Sequence, residues 1–121
     1  MQNKIIDLKV IQNEIKNHNY HKAEKLLLIL NEQNNDNQDI LFLLGFTNLK
    51  QNKFMYAEDY FKKLLSINKD NIEAVFQLAL CFRAQKKLDK ALSLLENVQS
   101  LEKNHILLTL VGNIYRDLGL L

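Results

Sequence analysis

Ala23, Ala57 and Ala91 stand at intervals of 34 residues, and each follows a large side chain by three positions: Tyr20, Phe54 and Leu88. A fixed interval of this size marks stacked supersecondary units, none of which can bury its apolar face alone. Starting the units at residues 4, 38, 72 and 105 brings more columns into line. Mid-way along the first segment stand Ile11, Gly45, Ala79 and Gly112, preceded by Val10, Leu44, Leu78 and Val111. The second segment carries Leu27, Phe61 and Leu95, then Leu30, Leu64 and Val98. Small residues let two helical backbones approach while the large residues beside them interdigitate. That requirement explains an alanine at 57 within "KFMYAEDYFKKLL".

Apolar residues recur at helical spacing, as in Ile5, Leu8, Ile11 and Ile15, or Val75, Leu78 and Phe82. No period-two pattern of useful length competes. The chain has no proline to break helices, while polar clusters such as "NEQNNDNQD", "KQNK" and "QKK" punctuate them. Helices are therefore expected over residues 3–16, 20–32, 38–51, 54–67, 72–85, 88–100 and 105–118. They make three pairs plus a seventh helix in one domain spanning 1–121, with repeats at 4–37, 38–71 and 72–104 and a half repeat at 105–121.

The chain's 121 residues suffice for one continuous core. A net charge of +2 with acids and bases interspersed provides no single-sign field to hold nucleic acid or an anionic membrane. The single cysteine, Cys81, excludes an internal disulfide and fits a reducing compartment. The polar start resembles no secretory signal, and "LLLIL" and "ILFLLGF" are too short to span a bilayer. A cytoplasmic protein is expected.

"LFLLGFTNLKQNKFMYAEDYFKKLLSINKDN", "VFQLALCFRAQKKLDKALSLLENV" and "LTLVGNIYRDLG" resemble tetratricopeptide repeats. That pattern runs large–x–x–Leu–Gly–x–x–Tyr, then aromatic–x–x–Ala–x–x–x–aromatic, and the likeness covers almost the whole chain. It implies an all-α, right-handed solenoid of antiparallel helix pairs, about three repeats plus a seventh helix. Ile11 replaces the small residue of the first repeat, Glu14 and Asn48 replace the tyrosine, and Asn35, Lys69 and Lys103 stand where a proline often closes a repeat.

Few residues suggest chemistry. His18 and His21 lie three apart and His105 is the remaining imidazole, too few converging ligands for zinc, so no metal is expected. Cys81 sits in an apolar helical stretch, as a buried small hydrophobe does. No Gly-rich phosphate loop, Ser/His/Asp set or paired catalytic carboxylates can be placed, so neither an enzyme nor a cofactor is expected. Lys62, Lys63, Lys86 and Lys87 fit a solvated outer face rather than an RNA surface.

In such a stack the first helix of each pair lines the concave side. The resemblance assigns to that groove Leu8, Gln12 and Ile15; Phe42, Phe46, Leu49 and Lys50; Phe76, Leu80 and Arg83; and Thr109, Asn113 and Arg116. Some family members clamp the carboxylate of an acidic chaperone tail with Lys, Asn and Arg. The matching positions here are Leu8, Gln12, Leu43, Glu73 and Gln77, so the clamp is missing and Glu73 would repel such a tail. The expected function is a protein-interaction scaffold that binds an amphipathic helix or apolar segment. Two other readings remain: the N-terminal segment of a longer enzyme such as a transferase, and a self-associating element. The latter draws on Leu108, Val111 and Tyr115, an apolar face on the last helix that would form a homo-oligomer.

Overall fold

A computed structural model describes residues 7–120. They form α1 (Leu8–Lys16), α2 (Tyr20–Gln33), α3 (Gln38–Lys50), α4 (Phe54–Ile67), α5 (Ile72–Ala84), α6 (Leu88–Glu96) and α7 (His105–Asp117), with a 3-10 turn at Leu101–Lys103. Each helix packs on its neighbours in sequence, and the antiparallel pairs stack into an all-α, right-handed solenoid. Residues 3–6 of the first expected helix, including Ile5, lie outside the described residues.

Two devices alternate along the chain. Helices α1, α3, α5 and α7 start on an Asp or Asn whose side-chain oxygen accepts an early backbone N–H: Asp7 from Lys9, Asn37 from Ile40, Asn71 from Ala74 and Asn104 from Leu107. Such a cap is worth about 1 kcal/mol. Helices α2, α4 and α6 have no side-chain cap. They begin instead from a tight turn that closes the preceding helix, with His18, Asn52 and Lys86 in the left-handed region. In each turn the next N–H reaches back five residues, Asn19 to Glu14, Lys53 to Asn48 and Lys87 to Phe82, at 2.8–2.9 Å. These bonds satisfy carbonyls that the helix end would otherwise leave bare. The same turn closes α7 with Gly119 at φ 75° and a bond from Leu120 N–H to the Tyr115 carbonyl.

The column of small residues does what its chemistry requires. A Cβ on Gly45 would lie 2.6 Å from Cζ of Phe61, so the glycine is the seat of that ring. Ile11 with Leu27 and Ala79 with Leu95 occupy the equivalent positions, and all four are fully buried. Glycine is thus matched with phenylalanine and alanine with leucine, whereas the first pair sets the larger Ile11 with Leu27.

Two expectations need correction. Val10 is 52% exposed, whereas its equivalent Leu44 is buried with Ala23, Leu27 and Leu30 of the preceding pair; α1 has no such preceding helix among the described residues. The sixth helix stops at Glu96 rather than 100. Beyond it Ser100 turns left-handed, and Leu101 folds back onto the core, which shortens the unit by one residue. Val98 is consequently only half-buried, unlike its equivalents Leu30 and Leu64.

Successive pairs are also fastened by a polar latch. Glu24 accepts from Gln51 Nε2 at 2.9 Å and Lys53 Nζ at 3.2 Å. One repeat later Glu58 accepts from Gln85 Nε2 and Lys87 Nζ at the same distances, and from Lys62 Nζ at 2.6 Å. At the next position the glutamate becomes Leu92, and Leu118 and Leu120 replace the glutamine and lysine. Leu92 and Leu118 both pack on the main core. The junction is therefore apolar at Leu92 and Leu118, while Leu120 stays exposed.

Candidate functional site

The first helices place a half-buried apolar row on α3 and α5: Phe42, Phe46, Leu49, Phe76 and Leu80. These side chains rest on the core and still reach solvent. Phe42 stacks on Phe46 with ring centroids 6.5 Å apart, and meets the buried Phe61 edge-on at 5.7 Å. Lys50 Nζ lies 5.4 Å from the Phe46 centroid, a cation held over an aromatic face. The row continues into a recess of about 210 Å³ where α3, α5 and α7 meet, bounded by Phe42, Ile72, Phe76, Ile106 and Leu107 together with Glu73, Gln77 and Asn104.

The other positions assigned from sequence contribute unequally. Leu8 and Ile15 are half-buried against the first core cluster, and Gln12 is exposed. Arg83 is committed to Asp117, with Nε and Nη2 donating to the two carboxylate oxygens at 2.5 and 3.3 Å. This fork joins α5 to α7 and holds the Asp117 carboxyl below its usual range, the hydrogen bonds from Arg83 outweighing burial. On α7, Thr109 and Arg116 are exposed and Asn113 is half-buried; the Thr109 hydroxyl donates to the His105 carbonyl and Arg116 donates to Asn113 Oδ1. Ile72, Ile106 and the recess they edge were not anticipated. The signal was a large apolar residue within two positions of a capping asparagine, where a solvated first turn is normally polar.

The expected association face is partly spoken for. Leu108 is 38% exposed, and a Cβ on Gly112 would meet nothing within 4 Å. Val111, however, is half-buried against the main core, and the Tyr115 hydroxyl lies 3.4 Å from Glu96 Oε1 on α6. Leu41 and Val75, equivalent to Leu108, are almost fully buried because α4 and α6 cover them.

Elsewhere the chemistry is quiet. Cys81 is fully buried, and burial, with the nearby Glu58 charge, pushes its thiol up to about 12. It is protonated at neutral pH and is not a nucleophile there. Among the described residues no group of three or more His, Cys, Asp or Glu could hold a metal ion; the His18 ring instead hydrogen-bonds the Tyr20 hydroxyl at 2.8 Å. No helix among the described residues is long and apolar enough to cross a membrane.

The profile of the tetratricopeptide repeat family matches residues 48–111, from the end of α3 into α7. The chain belongs to the tetratricopeptide repeat family. No curated protein is significantly similar to it in sequence, but solved structures share its fold. The first tetratricopeptide domain of Spaghetti (RPAP3), bound to the HSP90 peptide SRMEEVD, is 19% identical with a TM-score of 0.84, over 92% of this chain and 89% of that one. The Yersinia enterocolitica type III secretion chaperone SycD, in complex with a peptide of the translocator YopD, is 16% identical with a TM-score of 0.80, over 90% of this chain and 89% of that one. YrrB, described as having an unusual peptide-binding site, is 22% identical with a TM-score of 0.80, over 91% of this chain and 57% of that one.

Proposed function

We propose that this tetratricopeptide domain is a protein-interaction scaffold that holds a peptide segment or amphipathic helix by apolar anchors in its concave groove. The observation that carries this reading is the half-exposed row Phe42, Phe46, Phe76 and Leu80 running into the α3–α5–α7 recess. Solved domains of the same fold are bound to peptides, which supports the class of partner. A pocketed aromatic row supplies binding energy at few positions.

Phe46→Glu tests it. The ring is half-buried, so the variant should keep its helical circular dichroism and cooperative melt. Peptides selected from a random display library on the wild-type domain should bind it at least about a hundredfold more weakly, because the new carboxylate must be desolvated beneath an apolar anchor. Selected peptides that bind both proteins equally would place recognition elsewhere. The SRMEEVD peptide should show no saturable binding by calorimetry, since Glu73 stands where a clamp would need a cation.

A second reading, self-association through α7, is favoured by exposed Leu108 beside the open Gly112. Covering one large apolar side chain is worth about 1.5–3 kcal/mol. Light scattering should show a mass that rises with concentration for the wild type and stays monomeric in the Leu108→Lys variant, whose side chain is exposed. A wild type that remains monomeric at high concentration contradicts this reading.

A further inference from the structure

We infer that the open face of α7 is a docking site for an amphipathic helix of another protein, which seats a phenylalanine on Gly112 and completes a fourth helix pair. The face is the column Leu108, Gly112 and Tyr115. Its equivalents are Leu41, Gly45 and Asn48 on α3, covered by α4, and Val75, Ala79 and Phe82 on α5, covered by α6; every one of these is buried. On α7, by contrast, Leu108 is 38% exposed and Gly112 and Tyr115 are half-buried. The two glycines show the difference most directly: a Cβ on Gly45 would run into the Phe61 ring, whereas one on Gly112 would meet nothing within 4 Å. The same seat is filled in one pair and open in the other. The inference shares with the self-association reading only that this face is open, and it names a different occupant.

The preceding pairs define what fits. Where this column holds glycine it is matched with Phe61, and where it holds alanine, with Leu95; Gly112 therefore calls for a ring. Beside Phe61, α4 carries Ala57 four residues before, where a small side chain lets the backbones approach, and Leu64 three residues after, all fully buried in one cluster with Leu41. A helix reading Ala-x-x-x-Phe-x-x-Leu matches Leu108, Gly112 and Tyr115 in the same antiparallel sense. A second copy has no such helix to lend. Its Ala23, Ala57 and Ala91, with Leu27, Phe61 and Leu95, are fully buried within their own pairs, so releasing any of these helices would unpack the donor's core. A different protein has to supply it.

The probe is the chain's own α4 as a synthetic peptide of residues 53–68, held helical by a lactam between Asp59 and Lys63, which are both exposed in the intact domain. Pre-forming the helix keeps a failure to bind from being a failure to fold. Followed by fluorescence anisotropy, the peptide should bind the wild-type domain saturably, and its Phe61→Leu form about tenfold more weakly. On the Gly112→Ala domain the order of the two peptides should reverse, as the Ala79–Leu95 pair requires; the new methyl meets nothing within 4 Å and favours the helix, so this variant keeps its fold. Leu108→Lys should weaken both peptides at least about tenfold, while Phe46→Glu should bind them as wild type does, which separates this face from the groove. Circular dichroism checks that each variant is folded. Absence of saturable binding, a peptide order that Gly112→Ala leaves unchanged, or binding lost with Phe46 rather than with Leu108 overturns the inference. A wild-type mass that rises with concentration and does not fall as peptide is added overturns it too and leaves the self-association reading standing, since a second copy then closes the face.

Discussion

Phe61→Ala should be among the most damaging single changes in the chain, costing about 3–5 kcal/mol. The ring is fully buried, sits on Gly45 and joins α3 to α4 within the main core. A sharper test comes from the next pair, where the equivalent positions hold Ala79 and Leu95 and are equally buried. Gly45→Ala alone drives a methyl to 2.6 Å from the ring; overpacking of this kind costs about 1–3 kcal/mol, set against a gain of about 1 kcal/mol in helix propensity. Phe61→Leu alone leaves a cavity. Combined, the two changes rebuild the Ala79–Leu95 arrangement, so the double variant should be more stable than the sum of the singles by about 0.5–3 kcal/mol. Denaturant midpoints of the four proteins measure this directly. Strict additivity would show that the pairs do not exchange volume across this contact.

The Glu58 latch should give the domain a marked acid limb. Burial by itself would raise this carboxyl, but hydrogen bonds from Lys62, Gln85 and Lys87, with the Lys62 charge, bring it from 4.5 down to about 2. A carboxylate with a lowered folded pKa adds stability that is complete above the unfolded value and vanishes as pH falls through the folded one. The loss should therefore run from about pH 4.5 to about pH 2. Because the lysine partners are 37–50% exposed, the contribution is nearer about 2 kcal/mol than the full shift would suggest. Glu58→Gln should lower the neutral-pH midpoint and converge with wild type at low pH, and Glu24→Gln should do so more weakly, since Glu24 is lowered in the same direction by Gln51 and Lys53. A stability gap independent of pH would mean that Glu58 acts by shape alone.

Most of the helical order was legible in the linear chain because local physics writes it there. A small residue every 34 positions sets the register, polar clusters punctuate it, and the absence of proline lets the helices run. The expected starts at 20, 38, 54, 72, 88 and 105 match the helices found. The end of α6 did not follow from the pattern: Leu101 gains by folding onto the core, a tertiary reward that outweighs helix continuation through "NVQS". Val10 and Val111 show the same limit, since one column can face a neighbour in the middle of the stack and solvent at its edge.

Within the candidate site, periodicity and resemblance named the residues on the first helices, but not which of them are at liberty. Arg83 is tied to Asp117, 34 positions away, while Gln77 Oε1 is closed off from solvent without a hydrogen-bond partner. The latches join glutamates to residues 27 and 29 positions later. Such pairings depend on how far each helix pair rotates on the last, and that rotation follows from the summed packing of whole faces rather than from any local run of residues. The sequence by itself determined a repeating helical chain with an alanine register; only the tertiary structure decided which polar groups meet across the repeats and which are left without a partner.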